Sequence, residues 1–179
     1  MINFTNLEYL KEGTIRQKEA YKVLNELNII EDLEPYSPVL SGTIPINIDL
    51  PDSDLDVICY VSELNIFYQL LIHLYGEQPG FNIKSVIIND IESIVASFAY
   101  QDFPIEIFGQ NIPTTRQNAY KHMIAEYMIL KEKGDEFREQ IIYLKSQGYK
   151  TEPAFARLLE LDGDPYLSIL QLHDKQFDI

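Results

Sequence analysis

The sequence predicts an α+β fold in which a mixed β-sheet is flanked by helices and followed by a helical C-terminal part. Three observations predict it: a helical apolar pattern near the N-terminus, short β-like runs through the middle, and purely helical patterning after residue 113. Strands interleaved with helices and then a run of helices are typical of α+β domains. In a chain of 179 residues we expect an α/β core over residues 1–113, with residues 114–179 packed on the same domain.

The first half of the chain alternates between helix and strand signals. Apolar residues recurring at helical spacing predict helices over residues 14–30 and 64–75. Val39 and Leu40 predict a short strand that runs into the turn Ser41-Gly42-Thr43, and residues 54–61 predict a second strand. Between these two strands, residues 44–53 contain two prolines and several polar breakers, which predicts a loop.

The second half continues with strands and then changes to helices. We expect strands over residues 81–88, 94–100 and 104–108. Helices are expected over residues 114–133 and 135–147, with two more beginning near residues 151 and 164. Thr114 or Thr115 is the predicted N-cap of the first of these helices, and a hydroxyl is the predicted cap of the helix that begins near Thr151.

The composition indicates a globular chain with a real core. Apolar residues make up 46% of it, including twelve Tyr and nine Phe. No apolar run approaches the roughly 18–20 residues that a membrane span needs, and the start lacks the pattern of a secretion signal. The single cysteine, Cys59, lies in an apolar run and is expected to be buried. We therefore expect a cytoplasmic protein without a membrane or disulfide framework, and the sequence is compatible with a homodimer.

The acidic charge is concentrated in the middle of the chain. The net charge is −14, and residues 31–106 contain thirteen acidic residues against one basic residue, Lys84. Proteins that grip nucleic acid through its phosphates need basic patches, so a long nucleic acid is not the expected partner. A negative segment is compatible with a solvated surface, but the arrangement of three of its acids favours a cation site.

Three carboxylates are the candidate metal ligands and catalytic residues. Asp54 and Asp56 are two apart on a predicted strand, so they share a face while Leu55 and Val57 point the other way. Glu106 lies on another predicted strand, between two isoleucines that face the core. If these strands are neighbours, the three acids converge and provide the oxygen ligands that Mg²⁺ or Mn²⁺ prefers. Two such ions can clamp the attacking and leaving oxygens of a phosphoryl-type displacement.

Phosphate binding has its own candidate residues. Gly42 allows the backbone to approach a phosphate closely, and the Thr43 hydroxyl with neighbouring N–H groups can hold its oxygens. A ligand with several phosphate groups carries several negative charges, and the middle of the chain offers almost no positive ones. We therefore expect Arg116 and Lys150, from the helical part, to contribute to binding such a ligand.

The spacing of these residues resembles a known signature. Ser41-Gly42-Thr43, ten residues and then Asp54-Leu55-Asp56-Val57 resemble the motif of the polymerase-beta-like nucleotidyltransferase superfamily. Glu106 corresponds to the third acid of that superfamily. The resemblance implies a nucleotidyltransferase-like fold, a magnesium site on Asp54, Asp56 and Glu106, and a nucleoside triphosphate as substrate.

A closer resemblance extends over most of the chain. The stretches Gly42-Thr43-Ile44-Pro45, Ser53-Asp54-Leu55-Asp56, Gln117-Asn118-Ala119-Tyr120 and residues 148–156 resemble an uncharacterised bacterial domain-of-unknown-function family assigned to that superfamily. This resemblance implies the fold and the metal site, and it brings no established substrate.

These features lead to one functional hypothesis and two alternatives. The hypothesis is a metal-dependent transfer of a nucleotidyl group from a nucleoside triphosphate to the hydroxyl of a small molecule or a protein. The first alternative is a regulatory module that binds nucleotide and metal without turnover. The second is an interaction protein that keeps the fold and in which the acids are only part of the surface.

Overall fold

The computed structural model describes residues 2–176 and confirms the predicted fold class. The last three residues of the expected helical part lie outside the described range. Between residues 2 and 176 no helix is long and apolar enough to cross a membrane. The chain forms five strands and seven α-helices in these residues: α1 Ile15–Glu26, α2 Ile29–Asp32, β1 Val39–Ser41, β2 Leu55–Tyr60, α3 Leu64–Tyr75, β3 Asn82–Ile88, β4 Ile91–Tyr100, β5 Phe103–Gln110, α4 Asn118–Lys133, α5 Asp135–Ser146, α6 Thr151–Leu158 and α7 Pro165–Gln176.

The five strands form one mixed sheet in the order β1-β2-β5-β4-β3. Strands β2 and β5 are parallel, and the other neighbouring pairs are antiparallel. Because β5 is inserted between β2 and β4, two segments distant in sequence become neighbours at the centre of the sheet. Residues that alternate along these two strands therefore form paired rows on each face.

One face of the sheet is the main apolar core. Leu55, Val57 and Cys59 of β2 pack there with Ile105 and Ile107 of β5, and each is at most 1% exposed. The apolar sides of α1 and α3 cover this face. The burial of Cys59 confirms that prediction.

A second apolar cluster joins the C-terminal helices to the start of the chain. Helices α4 to α7 contribute most of its side chains, and Phe4, Ile46 and Ile48 complete it from outside the helical part. The helical part therefore packs with residues far from it in sequence. The opposite face of the sheet lies beneath α4, and the side chains that point there include the acids of interest.

The helix boundaries differ from the sequence prediction at three points. The single helix expected over residues 14–30 is interrupted at Asn28, which has a left-handed φ of 52°. Residues Thr114–Arg116 form a 3-10 turn, and Gln117 rather than Thr114 or Thr115 is the N-cap residue of α4. Thr151 is the first helical residue of α6 and not its cap. The hydroxyl residues predicted as caps thus lie one to three positions from the actual N-cap residues, Gln117 and Lys150.

Candidate functional site

A cleft of about 510 Å³ lies between the sheet and the C-terminal helices. Its sheet side comprises the turn after β1 and parts of β2 and β5, and its helical side comprises α4 and the start of α6. Acidic, polar and apolar residues share its lining, which is formed by Ser41, Gly42, Thr43, Asp54, Asp56, Val57, Ile58, Ile88, Asn89, Ile91, Glu106, Phe108, Gln110, Ile112, Gln117, Asn118, Ala119, His122, Met123, Glu126, Thr151 and Glu152.

The strand register brings the predicted acids to this cleft. Asp56 of β2 lies opposite Glu106 of β5, and on its other side it lies opposite Ser41 of β1. Asp54 immediately precedes β2 and lines the same cleft. Asp56 and Glu106 are half-buried, and Asp54 is exposed. The three carboxylates that the sequence analysis selected therefore share one surface.

The electrostatics of these acids show that they act on one another. Burial, followed by the charges of Asp54 and Glu106, raises the pKa of Asp56 to about 7. Burial and then Asp54 raise the pKa of Glu106, and Lys84 opposes this shift. Nevertheless, no group of three or more His, Cys, Asp or Glu side chains within residues 2–176 is arranged as a complete metal-binding cluster. The three acids line one cleft and act on one another electrostatically, but their carboxylate groups do not surround a single point.

Gly42 permits the close approach of the turn to Asp56. Its φ is +83°, a left-handed conformation that side chains disfavour. A Cβ atom at this position would lie 2.3 Å from Asp56 Oδ2. Next to it, the Thr43 hydroxyl lies 3.4 Å from Ser53 Oγ, which also accepts a hydrogen bond from the Leu50 N–H at 2.9 Å. The turn is thus fitted against the residues that flank Asp54.

The loop of residues 44–53, here termed the site loop, is held by long polar side chains. Gln17 Nε2 donates to the carbonyls of residues 44 and 45, at 2.8 and 3.1 Å. Arg138 Nη1 donates to the carbonyls of residues 46 and 47, and Lys145 Nζ donates to that of residue 48. A loop that carries buried isoleucines needs such partners because its carbonyls cannot reach water. These contacts position Gly42 at one end of the loop and Asp54 at the other.

The helical wall of the cleft contains polar residues that the sequence analysis did not assign. Glu126 is 4% exposed, and its Oε1 has no hydrogen-bond partner in the described residues. Gln117 donates through Nε2 to the carbonyls of Cys59 and Ile112, which leaves its buried Oε1 without a partner there. Glu152 contacts His122, with 3.3 Å between Oε1 and Nδ1.

A sequence signal for the burial of Glu126 does exist. It occupies the helical stripe of Ala119, Met123 and Leu130, in which the neighbouring members Met123 and Leu130 are buried core residues. A carboxylate on such a stripe is a departure from the apolar pattern. Gln117 carries no comparable signal, because its burial depends on the backbone of β2.

The two predicted basic residues do not line the cleft. Arg116 is exposed at the end of the 3-10 turn, and Lys150 is the exposed residue before α6. Among residues 2–174, no lysine or arginine contributes to the lining. A role for Arg116 and Lys150 in nucleotide binding stays a prediction.

Solved structures that share this fold include nucleotidyltransferases. A cytoplasmic RNA terminal U-transferase is 17% identical over 72% of this chain and 38% of its own, with a TM-score of 0.50. The Cid1 poly(U) polymerase with Mg 3'-dATP bound is 17% identical over 78% of this chain and 45% of its own, with a TM-score of 0.52. A GLD-2/RNP-8 complex is 11% identical over 86% of this chain and 63% of the matched chain, with a TM-score of 0.53.

These similarities establish the fold and no more, since the identities are low. The chain spans between 38% and 63% of the length of these three structures. No curated protein matches the sequence. A family model described as "Domain of unknown function (DUF4269)" matches residues 22–172. The chain therefore belongs to the DUF4269 family, and its fold is that of the nucleotidyltransferases.

Proposed function

We propose that this protein is a metal-dependent nucleotidyltransferase that moves a nucleotidyl group from a nucleoside triphosphate to a hydroxyl of a small molecule or a protein. The observation that carries the proposal is the register of β2 and β5, which places Asp56 beside Glu106 at the cleft that Gly42, Thr43 and Asp54 also line. The fold of the solved nucleotidyltransferases supports it. One of them, Cid1, has been solved with MgGTP bound.

The residues present fit a divalent cation. Asp54, Asp56 and Glu106 offer the hard oxygen ligands that Mg²⁺ or Mn²⁺ prefers. Burial, followed by the negative charges of Asp54 and Glu106, raises the pKa of Asp56, and no lysine or arginine of residues 2–174 lines the cleft to compensate that charge. When bound there, the metal would neutralise charge on the triphosphate and polarise its phosphoryl oxygens. Asp54, Asp56 and Glu106 would hold it.

The remaining chemistry belongs to side chains of the cleft. The hydroxyl oxygen of the acceptor would form a bond to the α-phosphorus, and the bond from that phosphorus to the bridging oxygen would break to release pyrophosphate. The Glu106 carboxylate, half-buried beside Asp56, would accept the hydroxyl proton. The Gly42-Thr43 turn would bind the phosphates, because it lines the cleft and lies close to Asp56.

The apolar part of the cleft suits a nucleobase. Ile58 and Phe108 of the sheet and Ile112 beyond it contribute to this part of the lining. The unpartnered Oε1 of Gln117 is a hydrogen-bond acceptor in the same lining. A base placed there would bury its faces against apolar side chains and have one polar group within the cleft to contact.

A nucleotide-transfer assay with labelled nucleoside triphosphates tests the proposal. The acceptors would be a panel of small hydroxyl compounds, a protein substrate pool and a short RNA, with Mg²⁺ or Mn²⁺ present. We expect a labelled product and pyrophosphate with the wild type, and a loss of about 100-fold or more for Asp54→Asn and Asp56→Asn. Asp162→Asn, at an exposed position outside the cleft, removes the same charge and should retain activity.

The two alternatives predict different results in the same assay. A nucleotide-binding module without turnover would bind Mg²⁺ and nucleotide and form no product with any acceptor. An interaction protein with a merely acidic surface would bind neither ligand. Equal product formation by the wild type and Asp56→Asn would contradict the proposed site.

A further inference from the structure

Glu126 is the most unusual ionisable residue of the cleft. Its side chain lies on the helical wall, and only 4% of the residue is exposed. Its Oε1 has no hydrogen-bond partner within residues 2–174. A buried carboxylate is costly unless it is paired and hydrogen-bonded, so this position calls for a partner that the described side chains do not supply.

The neighbouring groups are committed elsewhere or carry the same charge. His122 uses both ring nitrogens: Nδ1 lies 3.3 Å from Glu152 Oε1, and Nε2 lies 3.0 Å from the Tyr166 carbonyl oxygen. Lys145 donates to the carbonyl of Ile48 and forms no ion pair with Glu126 in the described structure. Burial, and then Glu152, raise the pKa of Glu126 well above its ordinary value, and Lys145 only opposes this shift.

The chemistry of the missing partner follows from these surroundings. Glu126 and Glu152 present carboxylates to the cleft, and no lysine or arginine of residues 2–174 joins them in the lining. An anion would be repelled there. A divalent metal would find only two carboxylates on the helical wall in the described residues, and the neighbouring imidazole of His122 is already engaged. An ammonium group offers both positive charge and several N–H donors, which match the unpaired oxygen.

Glu126 lies on the helical wall of the cleft, opposite the sheet that carries the proposed reaction centre. It is eight residues beyond the first residue of α4, about 12 Å along the helix axis from the start of that helix. Asp56 and Glu106 belong to the sheet, on the opposite wall of the same cleft. A molecule that reaches both walls would carry its hydroxyl at one end and its positive charge at another.

We propose that the acceptor is an amino alcohol whose protonated amine is bound by Glu126, with Glu152 completing the negative site. This inference rests on the proposed nucleotidyl transfer to a hydroxyl, and it names the class of molecule that supplies the hydroxyl. The cleft also contains the unpartnered acceptor oxygen of Gln117, the N-cap residue of α4. We assign this oxygen to the nucleotide and not to the amine.

The test uses a pair of small probes that share the same carbon chain and end either in positively charged ammonium groups or in neutral hydroxyl groups. The full chain is titrated with 1,4-diaminobutane and with 1,4-butanediol at about 0.15 M salt, where long-range attraction is screened. NMR signals of the Met123 methyl group and the Thr151 amide report binding, since both residues line the cleft. We expect saturable shifts with the diamine only, and an apparent affinity about ten-fold weaker for Glu126→Gln.

Two further variants separate a specific site from general attraction to an acidic protein. Glu139→Gln removes the same charge from an exposed position of α5 and should bind the diamine as the wild type does. Glu152→Gln should weaken binding in the same direction as Glu126→Gln and provides the test if that variant folds poorly. Equal diamine binding by the wild type and Glu126→Gln, or equal binding of diamine and diol by the wild type, overturns the proposal.

Titration of the same variants with Mg²⁺ and a non-hydrolysable nucleotide separates this inference from the proposed function. Glu126→Gln should bind the nucleotide like the wild type, and Asp56→Asn should not. Nucleotide binding without diamine binding would overturn the amino-alcohol site alone. Diamine binding that depends on Glu126, together with no nucleotide binding by the wild type, would leave an ammonium site and overturn the nucleotidyltransferase proposal.

Discussion

Gly42 is the residue at which backbone conformation and site chemistry are most closely linked. Its left-handed φ and its contact with Asp56 are separate constraints, and an alanine would violate both. Gly80 shares the first constraint, with a φ of +70°, but a methyl group at that residue would have no atom within 4 Å. The two glycines therefore form a matched pair.

We expect Gly80→Ala to cost about 1 kcal/mol through backbone strain. Gly42→Ala should cost about 1–3 kcal/mol more, since its methyl group would overlap the Asp56 carboxylate. It should also weaken binding of Mg²⁺ and nucleotide, whereas Gly80→Ala should not. Chemical denaturation and calorimetric titration measure these effects. Equal stability and equal nucleotide affinity of the two variants would contradict the role assigned to the turn.

Glu126 makes stability depend on pH in a defined direction. Its pKa is raised well above the ordinary value in the folded protein, so the folded state retains a proton that the unfolded chain loses as pH rises above about 4.3. This contribution is fully present at lower pH and is lost as pH rises toward the folded-state pKa. The charged groups that act on Glu126 are Glu152 and Lys145, with His122 beside Glu152.

Glu126→Gln should remove this dependence. We expect the variant to be more stable than the wild type at neutral pH, with the difference shrinking as pH falls toward the range in which glutamates are protonated. Thermal unfolding of both proteins across that range measures it. A constant difference at every pH would show that Glu126 does not titrate between the folded and unfolded states as described.

At the residue scale, the sequence indicated that Asp54, Asp56 and Glu106 lie near one another, but it did not indicate that Glu126 of α4 faces the same cleft. The spacing of Asp54, Asp56 and Glu106 could be interpreted because strand alternation is local and regular. The environment of Glu126 depends on which surface α4 covers, and helical periodicity alone cannot show that. The positions of the Arg116 and Lys150 side chains likewise depend on the 3-10 turn and on the loop before α6. Neither segment has a periodic pattern from which those positions could be predicted.

The site loop is the element that links helices to the candidate catalytic residues. Gln17 of α1 and Arg138 of α5 bind carbonyls of this loop from two directions. Gln17 also accepts the Thr14 N–H in a capping box, so one side chain serves both the start of α1 and the loop. Asp54 and Gly42 flank the loop, and their separation is set by these contacts.

Arg138→Met should loosen the site loop while keeping an apolar side chain of similar length. We expect a loss of about 1–3 kcal/mol in stability, because two partly buried carbonyls lose their donor. Nucleotide affinity should fall as well, although Arg138 does not line the cleft. Lys131→Met, at an exposed position of α4, is the control. An unchanged affinity in Arg138→Met would show that the loop does not position the site.

The elements themselves were largely predictable. Strands β1 to β5 and helices α3 and α5 lie where alternation and helical spacing indicate them. The break at Asn28 was not predicted, since the apolar pattern continues through it while the backbone turns. Which strands pair was also beyond local patterns: the parallel β2–β5 contact arises from the packing of the whole sheet.

Apolar contacts and hydrogen bonds join the two parts of the chain into one packed unit. The second apolar cluster combines α4 to α7 with Phe4, Ile46 and Ile48, and the site loop binds side chains from both ends of the chain. A division at residue 113 would therefore cut through shared apolar contacts and hydrogen bonds.

We expect a fragment of residues 1–113 not to fold on its own. It would expose Ile46 and Ile48 and leave the loop carbonyls bound by Arg138 and Lys145 without donors. The full chain should unfold in one cooperative transition, and the fragment should show none. Circular dichroism and the dispersion of NMR amide signals provide the comparison. A cooperatively folded fragment would establish residues 1–113 as an independent domain.

The insertion of β5 between β2 and β4 also has a kinetic consequence. Asp56 and Glu106 are fifty residues apart in the sequence, and α3, β3 and β4 lie between them. Pairings of such long range carry a large loop-closure cost and are slow to form. The chain can therefore form the β3–β4 hairpin and most helices before Asp56 and Glu106 come together. A cation that requires both of them recognises only the finished sheet, so it would act by delaying unfolding rather than by speeding folding.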